Sequence, residues 1–132
     1  MDKYIIIYFG AVSLTGSIAS LLFGGLSKLL FFLIAFVIVD YITGVFAAIV
    51  EKKLSSRVGF KGIAQKVFIF ALVSIAHVLD IILSTTIIKD ITILFYLVNE
   101  FISIMENAHR IGVPIPEILK RMIDTVKKKS GL

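Results

Sequence analysis

Apolar positions dominate four long runs of this chain, and polar positions enter them at helical spacing. The first run, 4–23, carries no charge over 20 residues, enough to cross a hydrocarbon core as a helix. Gly10, Ser13, Gly16, Ser17, Ser20 and Gly24 recur along it as a stripe of small residues that lets another helix approach closely. The second run, 29–50, holds a single charge, Asp40, on a face shared with Thr43, Gly44, Ala47 and Glu51 at its end. The third, 67–88, places Ser74, His77, Asp80 and Ser84 three or four apart. The fourth, 91–111, is the most two-sided. Tyr96, Asn99, Glu100, Ser103, Glu106, Asn107 and Arg110 take one face, and Ile93, Leu97, Val98, Phe101, Ile102 and Met105 take the other.

Between the runs, Gly24-Gly25 with Ser27-Lys28 predicts one turn, and Lys89-Asp90 a tight reversal. The polar segment 51–66 predicts a solvated loop. Its Gly59 and Gly62 lack the strand and the GK[ST] of a phosphate loop. Gly112-Val113-Pro114-Ile115-Pro116 ends the fourth run, because neither proline can continue the hydrogen-bond ladder. Pro116 and Glu117 suit the start of a new helix. Its apolar face is Ile118, Leu119, Met122, Ile123 and Val126, opposite Lys120, Asp124, Lys127 and Lys128. At about 14 residues it is too short to span and fits a helix lying at the membrane interface. The expected fold is therefore an all-α integral membrane protein. Four transmembrane helices occupy residues 1–113, and a short amphipathic, basic interfacial segment occupies 114–132.

Composition supports that class. Of 132 residues 58% are hydrophobic, against about 45–50% in soluble domains, and the mean hydropathy is +1.02. The absence of cysteine excludes disulfides, zinc–thiolate sites and iron–sulfur clusters. His77 and Asp80 are too few for a metal site and read as a hydrogen-bonded pair inside a bundle. No cofactor, metal or catalytic constellation is expected. The net charge of +5 points to membrane topology rather than nucleic acid, since the basic residues flank apolar runs. With four spans, Lys3, five residues in 51–66 and six from Arg110 onward fall on one side, against Lys28 and Lys89 on the other. That asymmetry predicts both termini in the cytoplasm.

The candidate chemistry lies in the polar stripes. A carboxylate at mid-membrane costs about 2.5–3.5 kcal/mol on the insertion scale, so Asp40 implies function or specific pairing. Counted from the predicted cytoplasmic ends, Asp40, Asp80 and Glu100 share one depth, as a common polar layer would. Apolar side chains contribute only about −3 to −6 kcal/mol to insertion of the fourth run, much of it offset by Glu100, Glu106, Asn99 and Asn107. That helix should depend on partners. Asp40, Thr43, His77, Asp80, Asn99, Glu100, Ser103, Glu106 and Asn107 are the candidates for lining a water-filled space or for packing one helix on another. Lys52, Lys53, Arg57, Lys61, Lys127, Lys128 and Lys129 are the candidates for contact with the membrane surface.

A resemblance enters at this point. Asp40-Tyr41-Ile42-Thr43-Gly44, Leu54-Ser55-Ser56, Gly59, Gly62, Lys66, His77 and Asp80 resemble the phage holin family that includes the clostridial toxin-secretion holins. So do Asn99-Glu100, Ser103, Glu106-Asn107, Gly112-Val113-Pro114-Ile115-Pro116 and Leu119-Lys120, and the likeness covers roughly residues 36–122. It implies a small, non-enzymatic protein of the bacterial inner membrane. Such a protein oligomerises with itself and opens lesions that release a cell-wall hydrolase or a large toxin. Two other readings stay open on the residues: a small ion- or proton-coupled transporter using Asp40, Asp80 and Glu100, and an accessory subunit of a larger membrane complex.

Overall fold

The computed structural model describes residues 2–130, and among these there are five α-helices and no strand. They are α1 (Lys3–Phe23), α2 (Lys28–Val50), α3 (Ser56–Leu83), α4 (Ile88–Ile111) and α5 (Glu117–Ser130). α1, α2 and α3 are long and apolar enough to cross a membrane by length and composition. α4, with 24 residues, is not among them, in keeping with the polar load read from its sequence.

Local chemistry sets the boundaries. α1 stops at Gly24, whose φ of 71° is a left-handed conformation that costs an L-residue about 1–2 kcal/mol. The Gly24 and Gly25 amides close back on Ser20 and Ala19 at 3.0 and 3.3 Å, satisfying two of the carbonyls that the end of the helix leaves free. A side chain at Gly24 would also meet His77, because an added Cβ would lie 2.6 Å from Cε1. Ser27 begins α2 by accepting the Leu30 amide at 3.2 Å, and Ser55 begins α3 by accepting that of Val58 at 3.1 Å.

The segment expected as a loop over 51–66 is thus mostly helix. Only the link from Glu51 to Ser55 is outside α2 and α3, and Arg57, Lys61 and Lys66 lie on α3. At 28 residues α3 is about 42 Å long, more than the roughly 30 Å of bilayer hydrocarbon, so its basic first turns extend a helix rather than interrupt it. The reversal expected at Lys89-Asp90 is also displaced. The turn falls between Leu83 and Ile88, and Lys89 and Asp90 sit in the first turn of α4.

α2, α3 and α4 form the bundle, with α4 packed most extensively against α2. Leu30, Leu33 and Val37 of α2 share a core with Val73 of α3 and Ile93 of α4. Since Asp40 meets Asn107 and Glu51 meets Arg110 further along, α2 and α4 run parallel, with α3 antiparallel to both. The apolar core fills one half of the bundle, and polar side chains fill the half nearer the ends at Val50, Ser56 and Ile111. No residue of α1 is buried. Apart from Gly24, the glycines of the small-residue stripe have no partner among the described residues, since nothing comes within 4 Å of a Cβ added at Gly10 or Gly16. Phe31, Phe32, Phe46, Phe68, Ile75, Ile82 and Phe95 point outward from the other helices. An apolar exterior on this scale is the surface of a membrane protein.

Candidate functional site

Four polar side chains meet in one half of the bundle interior: Asp40, Glu100 and Asn107 are buried, and Lys66 is nearly so. The Lys66 ammonium donates to both oxygens of Glu100, at 3.0 Å to Oε1 and 2.8 Å to Oε2, and to Oδ2 of Asp40. Asn107 Nδ2 donates to Oδ1 of Asp40 at 2.8 Å, to its backbone carbonyl at 3.1 Å and to Thr43 Oγ1 at 3.0 Å. Its Oδ1 accepts from Arg110 Nη1 at 3.2 Å, and Arg110 Nε donates to Glu51 at 2.5 Å. One continuous network therefore runs from the exposed Arg110–Glu51 pair down to the Glu100 carboxylate. Among the described residues, no buried side-chain nitrogen or oxygen lacks a partner.

Small residues make this approach possible. A Cβ on Gly44 would lie 3.5 Å from Asn107 Nδ2, and Ala47 and Ala48 beside it are buried. The two carboxylates and one ammonium are held at similar depths, about ten residues or 15 Å from the ends of their helices at Val50, Ser56 and Ile111. Charges so placed require mutual pairing, because several kcal/mol per ion is needed to remove each from water.

Of the candidates read from the sequence, Asp40, Thr43, Glu100 and Asn107 come together. Ser103 is half-buried beside the same polar interior, and Asn99 is half-buried on α4. Asp80 does not share their depth. The third helix runs from Ser56 to Leu83 rather than over 67–88, so Asp80 falls in its last turn, at the opposite end of the bundle. There its Oδ1 accepts from Thr85 Oγ1 at 2.6 Å and from the Ile88 amide at 2.9 Å, and its Oδ2 accepts from the Lys89 amide at 2.9 Å. Asp80 is thus an N-terminal cap for α4 delivered from α3, matching a carboxylate to the positive end of a helix. The expected His77–Asp80 bond gives way to this cap, and His77 packs on Gly24. Close by, Lys89 Nζ donates to the Phe23 carbonyl at 2.8 Å, tying the end of α1 to the start of α4.

Glu106 is exposed and pairs with Lys127, joining α4 to α5. Lys127 is therefore turned to the protein, whereas Lys128 and Lys129 are exposed. Lys52, Lys53, Arg57 and Lys61 are exposed as well, with Lys53 3.8 Å from Glu51. Sequence reasoning missed the hub, Lys66. Its signal is the step of three and four from Gly59 through Gly62 to Lys66, which continues the register of the helix behind it. Two intramembrane acids without a cation were the second signal. Among the described residues no three His, Cys, Asp or Glu side chains cluster as a metal set.

The fold and its interior define an all-helical membrane protein with a buried ionic cluster. Residues 17–128 match the bacteriophage holin family, and the chain belongs to it. It is 45% identical to an uncharacterised protein of Listeria monocytogenes, over 96% of this chain and 91% of that one. It is 38% identical to an uncharacterised 14.9 kDa protein from the nagH 3′ region of Clostridium perfringens, over 93% and 94% of the two. An uncharacterised Bacillus subtilis protein is 38% identical over 82% of this chain and 77% of its own length. No solved structure matches.

Proposed function

We propose that this chain is a holin that gathers in the bacterial inner membrane, oligomerises and opens lesions through which a cell-wall hydrolase or a toxin leaves the cell. Family membership gives the class, and the observation that carries the mechanism is the Lys66–Asp40–Glu100 cluster inside the bundle. In the resting protein Lys66 satisfies both acids, so the polar half of the interior is tolerated in lipid. In the open form, copies of the chain turn the α4 face bearing Asn99, Glu100, Ser103, Glu106 and Asn107 toward a shared aqueous lumen. Water then replaces Lys66 as the partner of the acids. A membrane potential of 100 mV acts on each charge moved fully across with about 2.3 kcal/mol, so a fall in potential is sufficient to shift this equilibrium.

The proposed topology has four spans, with α4 crossing parallel to α2, both termini cytoplasmic and α5 at the interface. The distribution of basic residues supports it. Because the chain has no cysteine, one cysteine at Ser27 reports the topology without background. A membrane-impermeant thiol reagent is expected to label it from outside the cell, and labelling only from the cytoplasmic side would overturn the four-span arrangement.

Function is tested by inducing the chain together with a cytoplasmic endolysin. Abrupt lysis with release of a protein-sized marker is the expected result. Saturable flux of a small solute in liposomes without killing would instead assign a transporter, and constant co-purification with a membrane complex without killing an accessory subunit.

A further inference from the structure

A cavity of about 410 Å³ opens between α2, α3 and α4 above the buried cluster, a size within the roughly 300–1,000 Å³ of small-molecule sites. Asp40 and Asn107 form its floor and are buried, whereas Lys61 and Arg110 stand exposed at its mouth. The half-buried Tyr41 and the exposed Gln65 add a hydroxyl and an amide to the lining, and the exposed Leu54 and Val58 give one wall an apolar edge. Tyr41 is seated against α3 by Gly59 and Gly62, where an added Cβ would be 3.4 Å from its ring or hydroxyl.

The charges facing this space are distributed unequally. Lys66 is engaged by Asp40 and Glu100, and Arg110 by Glu51. Lys61 has no acidic partner among the described residues, and Arg57 lies one helical turn before it on α3, also without one. The mouth therefore offers an uncompensated positive charge, while the floor, with the Asn107 amide protons already engaged, offers the acceptor oxygens of Asp40 and Asn107. Leu54 and Val58, which line the cavity, are also exposed on the outer surface. This arrangement suits a ligand with an anionic diester at the rim, hydroxyls that reach inward and hydrocarbon that stays outside.

We propose that the cavity binds the headgroup of an anionic, hydroxylated phospholipid of the phosphatidylglycerol type, its phosphodiester at Lys61 and Arg110 and its glycerol hydroxyls toward Gln65 and Asn107. The site needs only an inserted protein, and it stands whether or not the chain opens lesions. The full-length chain, delipidated in a zwitterionic detergent, is titrated with dihexanoyl-phosphatidylglycerol below its micellar concentration while thermal unfolding is followed. Dihexanoyl-phosphatidylcholine and inorganic phosphate are titrated in parallel.

Saturable stabilisation by the phosphatidylglycerol alone is expected. Lys61→Gln should weaken it about fivefold, the loss of one lysine–headgroup attraction. Lys28→Gln, at the start of α2 and the opposite end of the bundle, should leave it unchanged. Equal stabilisation by the phosphatidylcholine would overturn the requirement for an anion, and equal stabilisation by inorganic phosphate would overturn the lipid. Unchanged binding in Lys61→Gln, or equal weakening in Lys28→Gln, would place the interaction outside this cavity.

Discussion

Lys66→Met is expected to be the most damaging single substitution in this chain, costing about 3–5 kcal/mol, because it leaves two buried carboxylates without their cation. Asp40 and Glu100 are each 4% exposed, so water cannot take over the role of Lys66 without opening the bundle. Methionine is close to lysine in length and leaves little cavity, which isolates the effect of charge. The measurement is unfolding of the purified protein by denaturing detergent, with membrane accumulation followed by immunoblot. The triple variant Lys66→Met, Asp40→Asn, Glu100→Gln should recover most of the loss, since replacing a buried ionic group as a whole is often neutral or stabilising. A single variant as stable as the parent would show that the three side chains do not form one buried cluster.

Glu100→Leu is expected to have the opposite profile, accumulating at least as well as the parent but failing to lyse. Removing Glu100 leaves Lys66 paired with Asp40 as a neutral couple, and it relieves α4 of an insertion cost of about 2.5–3.5 kcal/mol. The resting bundle is therefore kept, while the group that would meet water in the open lesion is lost. Glu100→Gln, which still hydrogen-bonds to water, should give delayed lysis. Expression with a cytoplasmic endolysin, scored by optical density and released marker protein, separates these outcomes. Normal timing of lysis in the double variant Glu100→Leu, Glu106→Leu would mean that this face of α4 does not line the lesion.

Much of the fold is legible in hydropathy and periodicity. The ends of α1 and α2 follow from Gly24-Gly25 and Ser27, and the end of α4 from Gly112 and the two prolines beyond it. Asp40, Glu100 and Asn107 stand out because a bilayer makes unpaired polar groups costly at the positions they occupy. What hydropathy misplaces is the start of α3. A charged helical turn and a solvated loop have the same composition, so composition alone places Lys66 outside the helix that carries it. With its start earlier and its end at Leu83, α3 holds Asp80 at the other end of the bundle from Asp40 and Glu100. The pairing itself spans 26 residues to Asp40 and 34 to Glu100, separations that no helical period encodes.

Those separations have a consequence for biosynthesis. The ribosome delivers Asp40 first, Lys66 next and Glu100 last, and at about 5–20 residues per second Asp40 precedes its lysine by on the order of a few seconds. During that interval the α2 segment is held only by its own apolar side chains, of which it has many. α4 enters under different terms. When Glu100 emerges, Lys66 is already in place to receive it, and Asp80, ten residues before Asp90, is waiting to cap the helix's first amides. The least apolar of the long helices is thus made last, and on the proposed four-span topology its retention in the membrane rests on residues synthesised seconds earlier.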